Sequence, residues 1–336
     1  MVSIIAIDLA KNVFQLVGVN DRIQPVFEHR FRRAKFEAFM HNHPLCTVVM
    51  EACFMAHYWG RRFQAMGHEV KLIPPQHVKP FVRGNKTDRN DALAIAEASR
   101  RPGLKCVPVK SVEQQQTLAQ HRIRERLKHQ RTQLMNQTRS LLAEFGMVMP
   151  QGHKAFREGL VQAIDQALPT PEFTEILRQT YDEYQQINQR MTLIEQHLER
   201  SVERSSDAEI LRSIPGIGPL IASAFIATVD RGQAFKSPRE FAVWLGLTPK
   251  TESSGDKRRI GHITKRGDTY LRTLLIQGAN AALRWTAKRQ DKFSQWANAL
   301  VKRRGRAIAV VAVAHKIARL AWILLQRQTP FQAQTI

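Results

Sequence analysis

The chain has 336 residues, and its 51 lysines and arginines against 29 aspartates and glutamates give a net charge of +22. A hydrophobic share of 43% supplies a real core and excludes a disordered chain, and at roughly 150 residues per domain the length suggests about two domains. Three cysteines, Cys46, Cys53 and Cys106, are too few for a disulfide-stapled scaffold and wrongly spaced for a zinc knuckle, while the charge points to a polyanionic partner.

The N-terminus, MVSIIAIDLAK, has neither a basic leader nor a long apolar run, so a cytoplasmic protein without a signal peptide is expected. Apolar runs at 3–7 and 13–19 and a weak alternation at 26–31 predict three close strands, with Asp21 and Pro25 suited to turns. A helix, a strand at 47–50, a helix at 58–66 and a strand at 70–73 follow, ended by Pro74-Pro75. That order resembles the RNase H-like sheet. From Asp88 the run DRNDALAIAEASRR has helical spacing until Pro102-Gly103 stops it. The first domain is therefore α/β over 1–110.

Residues 111–205 read as all helix. Ile123, Leu127, Leu134, Leu141 and Phe145 make one stripe, and Tyr184, Ile187, Met191, Ile194 and Leu198 alternate at coiled-coil spacing. Pro150, Gly152 and Pro169 predict a turn or loop between them. The segment reads either as an antiparallel coiled-coil arm that dimerises or as a helix pair packed on its own domain. Residues 206–336 form a mainly helical third segment. It holds a glycine turn at Pro215–Gly218, a basic loop at 249–267, and helices at 269–287 and 307–326. The turn resembles a helix-hairpin-helix that binds phosphate, and serves equally as a packing turn. The apolar stretch 307–325 contains His315, Lys316 and Arg319, which predicts a buried helix and no membrane span.

Two groups of residues carry chemistry. Asp8 ends the first apolar run, Glu51 ends the fourth, and Asp88 and Asp91 open a helix with a spacing that places both on one face. Strand ends and helix starts meet at one rim of an α/β sheet. Two carboxylates about 5 Å apart repel by roughly 3 kcal/mol at an effective dielectric of 20, and hard divalent cations remove that cost with oxygen ligands. Singly, each acid has a simpler role: Asp88 as a helix cap, Asp91 as a first-turn acid, Asp8 as a turn residue. The second group is GLTPKTESSG…ITKRGDTYLR, residues 246–272. Here Ser253 and Ser254 lie among Lys250, Lys257, Arg258, Arg259, Lys265, Arg266 and Arg272. The basic residues suit phosphate contacts, and a flexible loop gripping nucleic acid without chemistry is the simpler reading.

Together IDLAK at 7–11, MEA at 50–52, NKTDRNDA at 85–92, PGIG at 215–218 and the 246–272 segment resemble the DEDD transposases of the insertion sequence 110 family, and more narrowly its 1111 subgroup. The resemblance implies a RuvC-like domain, a helical coiled-coil arm and a C-terminal transposase domain. It implies Mg²⁺ on Asp8, Glu51, Asp88 and Asp91, and a nucleophilic serine matching Ser254, with Ser253 a looser fit. It also implies a non-coding bridge (seeker) RNA that pairs with donor and target DNA. Lys86, Lys257, Arg258, Arg259, Lys265, Arg266 and Arg272 are the expected nucleic-acid contacts. A homo-oligomer is expected, a dimer at least and a tetramer in the synaptic complex. The function so implied is RNA-guided recombination through a 5′-phosphoserine link. The alternatives are a metal-dependent junction endonuclease acting by hydrolysis and a non-catalytic nucleic-acid-binding scaffold.

Overall fold

The computed structural model describes residues 2–85, 87–167, 170–203, 205–254 and 257–333, with the side chains of Ser254, Lys257 and Arg258 outside that description. The chain divides into two compact units, 1–113 and 114–336.

In the first unit β1 (Ile4–Leu9), β2 (Val13–Val19) and β3 (Pro25–Arg32) lead to α1 (Arg33–Asn42), β4 (Thr47–Glu51), α2 (Ala56–Ala65), β5 (Glu69–Ile73), the single-turn α3 (Pro75–Val78) and α4 (Asp88–Ser99). The sheet order is β3-β2-β1-β4-β5. The short turns before β2 and β3 allow only antiparallel pairing, whereas β4 and β5 arrive by helical crossovers and pair in parallel. Helices cover both faces, which is why β1 and β4 read as continuous apolar runs. On one face Ile5, Ile7, Leu16, Val48 and Met50 meet α1 and α2. Phe14 stacks on Phe36 at 4.4 Å there, and Trp59 lies edge-on to both rings. Each such pair contributes about 0.5–1.5 kcal/mol beyond its burial. On the other face Ile4, Ala6, Val17, Val49 and Ile73 meet Ala92, Ile95 and Ala96 of α4.

The second unit runs α5 (Val112–Ala143, begun at the unit boundary), α6 (His153–Asp165), α7 (Pro171–Glu203), α8 (Ser206–Arg212), α9 (Pro219–Val229), α10 (Pro238–Trp244), β6 (Pro249–Ser254), β7 (Lys257–Ile263), α11 (Thr269–Thr286), α12 (Lys292–Arg304) and α13 (Arg306–Arg327). α5 and α7 lie antiparallel: Arg124 Nε donates to Glu195 at 2.7 Å and Arg131 Nη1 to Asn188 at 2.8 Å, with Leu127, Ile187 and Met191 between them. The α7 stripe packs much as its spacing predicts, and of the α5 stripe Leu127 and Leu134 do as well. Ile123, Leu141 and Phe145 are exposed, and Met135, Thr138 and Leu142 are buried instead. Thr138 can occupy the seam because its hydroxyl donates back to the Leu134 carbonyl. The region expected as loop contains α6, whose Phe156, Leu160 and Ala163 pack with residues of α5 and α7.

α13 is long and apolar enough to cross a membrane. In the fold its buried residues Ala309, Val313, Ile317, Ala321 and Leu324 belong to the helical core, where it packs on α8, α10, α11 and α12. α12, absent from the sequence reading, begins where Asp291 Oδ1 accepts from the Ser294 amide at 2.9 Å. The glycine turn packs on α11: a Cβ at Gly216 (φ +92°) would lie 2.5 Å from the Gly278 carbonyl oxygen.

His121 joins α5 to α9 and α11. Its ring nitrogens contact Tyr270 Oη at 2.9 Å and Ser223 Oγ at 3.1 Å. Burial, then the nearby Arg124 charge, lowers its pKa to about 4, so it is neutral in the fold. The unfolded chain, with an ordinary value near 6.5, takes up a proton that the native state refuses. Stability contributed by the neutral ring is complete above pH 6.5 and is lost as pH falls toward 4. At about 1.4 kcal/mol per unit the loss is about 3 kcal/mol. Urea titrations at pH 7 and pH 4 should show wild type losing about that much more stability than His121→Gln.

Candidate active site

The strand register places the acids. Asp8 follows Ile4 and Ala6 on the α4 face of β1, and Glu51 follows Val49 on the same face of β4. Because Ile7 pairs with Met50 in parallel register, Asp8 and Glu51 stand at the same level on neighbouring strands. α4 runs opposite to β1. Its C-terminal Arg100 reaches Ser3 Oγ at 3.2 Å at the start of β1, while its first turn is tied to β3. Asp88 lies 3.8 Å from Arg30, and Arg89 pairs with Glu28 at 2.7 Å. Arg30 is opposite Gln15, which is opposite Asp8, so the start of α4 is level with Asp8. The helix is capped by Thr87, whose hydroxyl accepts from the Asn90 amide at 3.2 Å. Capping therefore does not account for Asp88. Both expected pairs come to one rim of the first unit, with Asp8, Glu51 and Asp91 half-buried and Asp88 exposed.

The chain turns sharply after Glu51 and passes through Met55 in a left-handed conformation (φ +65°), a strained state for a side chain with a Cβ. The three cysteines are free thiols. Partial burial, then the charges of Glu51 and Asp8, push the Cys53 thiol up to about 11, so one thiol senses both carboxylates. A purely carboxylate donor set is the chemistry a hard divalent cation takes. Among the described residues no three acidic, histidine or cysteine side chains already stand close enough to hold one ion. The donors fit Mg²⁺ in kind.

The 249–267 segment, expected as a loop, is a hairpin. Ser253 pairs with Arg258 and Ser254 with Lys257. Glycine, serine and basic residues read locally as loop, but cross-strand pairing overrides that preference. Its base is fixed by backbone: Thr264 N–H donates to Thr248 O at 2.9 Å and Lys265 N–H to Gly246 O at 3.1 Å. A Cβ at Gly267 would lie 1.8 Å from Trp244 O, which leaves no room for any other residue. Lys250, Arg259, Lys265 and Arg266 are exposed, and Lys250, Arg259 and Lys265 line a groove of about 550 Å³. Arg272 is a correction. It is buried, and its guanidinium donates to Leu245 O at 2.9 Å, Arg266 O at 3.0 Å and Thr269 Oγ1 at 3.0 Å. It braces the hairpin base and is not a nucleic-acid contact. Lys86 and Gly255 lie outside the described residues, as do the side chains of Ser254, Lys257 and Arg258.

Two family models match. Residues 5–147 match a transposase model of the IS110 DEDD type, and residues 208–295 match the transposase IS116/IS110/IS902 family. A probable family 20 transposase of Pseudomonas aeruginosa is 43% identical over 98% of both chains. The chain belongs to the IS110/IS116/IS902 transposase family. This transposase is also 40% identical to the transposase for insertion sequence element IS1111A of Coxiella burnetii, over 98% of this chain and 92% of that one. It is 34% identical to the transposase for IS1328 of Yersinia enterocolitica over 98% of both. The first matched segment contains all four rim acids, and the second contains the glycine turn and the serine hairpin.

Proposed function

We propose that this transposase is an RNA-guided recombinase that moves its insertion sequence through a covalent serine–DNA link. The observation that carries the reading is the acidic rim: carboxylates at the ends of adjacent parallel strands, faced by the first turn of an antiparallel helix. The sheet order β3-β2-β1-β4-β5 supports an RNase H-like, RuvC-like domain. Asp8, Glu51, Asp88 and Asp91 would hold Mg²⁺, which supplies positive charge to the oxygens of the reacting phosphate.

The Ser254 oxygen attacks phosphorus. The P–O3′ bond breaks, the 3′ oxygen leaves as a hydroxyl with the serine proton, and a 5′-phosphoserine remains. An incoming 3′-hydroxyl reverses the step and releases the serine, so rejoining needs no ATP. Arg259, Lys265 and Arg266, with Lys86, Lys257 and Arg258, balance phosphate charge. The antiparallel α5–α7 pair serves as the arm through which copies associate, as a dimer and then a synaptic tetramer.

A net charge of +22 fits a polyanionic partner, and the resemblance to the insertion sequence 110 family implies that a guide RNA from the element's own flank binds beside the DNA. The test is to purify the protein, expressed with its native flanking DNA, and to sequence the bound RNA. One discrete structured RNA is expected, with loops complementary to the element ends and to a target. Heterogeneous RNA or none, with flanking transcription confirmed, would contradict guidance.

A further inference from the structure

The end of α11 carries a basic tract, RWTAKRQDK at 284–292, that the catalytic reading does not use. Trp285 is 62% exposed. Of the five tryptophans, Trp59 is fully buried and Trp244, Trp296 and Trp322 are half-buried. Leaving so large a ring in water forgoes about 1.5–3 kcal/mol of burial, so its position is not explained by folding. Arg284, Lys288, Arg289 and Lys292 are exposed around it. Against the cost of partial burial, the Ser294 hydrogen bonds and the nearby Arg289 charge hold the Asp291 carboxyl below its ordinary range. Asp291, the one acid in the tract, is turned into the α12 cap, where it accepts from the Ser294 amide and hydroxyl. Lys288 Nζ stands 5.8 Å from the centre of the ring. Beside the ring lies a cavity of about 110 Å³, lined by Pro215, Gly216, Thr286, Arg289 and Phe293.

We propose that Trp285 is a stacking platform for an unpaired base of a bound nucleic-acid strand, with Lys288 and Arg289 on the flanking phosphates. A nucleotide offers a π face and an anion in one unit, which matches an exposed indole ringed by four cations against a single acid. A protein partner would need both an aromatic or apolar contact for the ring and carboxylates placed against each cation, which a nucleotide supplies in its repeating unit. The RNA and DNA strands share this chemistry. The proposal goes beyond the serine reaction and needs no cleavage to be tested.

The experiment titrates the full-length protein with ten-nucleotide oligo(U), oligo(dT) and a ten-base-pair duplex, following tryptophan emission and anisotropy of labelled strands. Both single strands should quench emission, and the duplex should not. Trp285→Phe should keep affinity within about threefold, because a stacking ring remains, while losing most of the quench. Trp285→Ala should weaken single-strand binding about tenfold with an unchanged salt slope. Lys288→Ala with Arg289→Ala should lower the slope of log K against log salt by about 1.4. Weakening confined to oligo(U) identifies RNA as the strand, and weakening confined to oligo(dT) identifies DNA. If Trp285→Ala binds both strands as tightly as wild type, there is no platform. If it leaves affinity unchanged but alters the sedimenting mass, the ring is a protein–protein contact and the proposal fails.

Discussion

Ser254→Ala is expected to abolish the covalent protein–DNA adduct and to lower recombination by on the order of 10⁴-fold or more, since removing a nucleophile removes the whole covalent path. Binding of nucleic acid should stay within about twofold, because a neutral hydroxyl adds little to an interface dominated by charge. The fold should tolerate the change. Ser254 ends β6 and pairs through its backbone with Lys257, and the hairpin is braced at its other end by Gly246, Gly267 and Arg272. Ser253→Ala is the matched control, one residue away on the same strand, and should retain the adduct. Adduct formation by Ser254→Ala and not by Ser253→Ala would move the nucleophile to Ser253. An adduct formed by both single variants would leave neither serine as the required nucleophile. Denaturing gels of end-labelled element-end DNA read all of these outcomes.

Asp8→Asn and Glu51→Gln carry the second large effect. Both substitutions keep shape and remove charge at neighbouring strand ends. Losing several kcal/mol of charge stabilisation at the reacting phosphate corresponds to about a thousandfold in rate, and each variant should lose cleavage by about that much while binding DNA as well as wild type or slightly better. The amide replacements keep hydrogen-bonding capacity and remove the mutual repulsion of the two carboxylates, and circular dichroism of each variant checks that the fold is kept. A readout free of activity is the melting temperature: Mg²⁺ should raise that of wild type and leave the double variant unmoved. Cleavage that survives both substitutions would remove the rim from the chemistry and favour a binding scaffold.

Much of the first unit was legible because its signals are local. Apolar runs as short as the strands, separated by turn residues, specify β1 to β5. The run from Asp88 specifies a helix start, although the cap is Thr87 and not Asp88. That these acids share a rim follows from parallel pairing and the opposed run of α4, for which the sequence supplies only a pattern. The second unit was harder to read where tertiary pairing overrides composition. The serine hairpin looks like a loop because Gly, Ser and Lys favour loops, and its strands exist through mutual hydrogen bonds. The buried residues of α5 include His121 and Thr138, polar residues satisfied by partners far away in sequence or one turn back, so apolarity alone found Leu127 and Leu134 but not the rest. Arg272 looks like any other basic residue until its three acceptors are seen. Trp285 is one of five tryptophans in the sequence, and only its exposure separates a platform from a core ring.

The central claim is a serine–phosphodiester bond, and the most direct measurement is its location. The transposase, with flanking transcript and Mg²⁺, is mixed with element-end DNA, quenched in denaturant, and digested with protease and nuclease before mass spectrometry. A nucleotide remnant attached through phosphate to Ser254, with a matching free 3′-hydroxyl on the released strand, is the expected result. Cut strands bearing free 5′-phosphates, with no nucleotide on any peptide, would show hydrolysis by activated water and contradict the account.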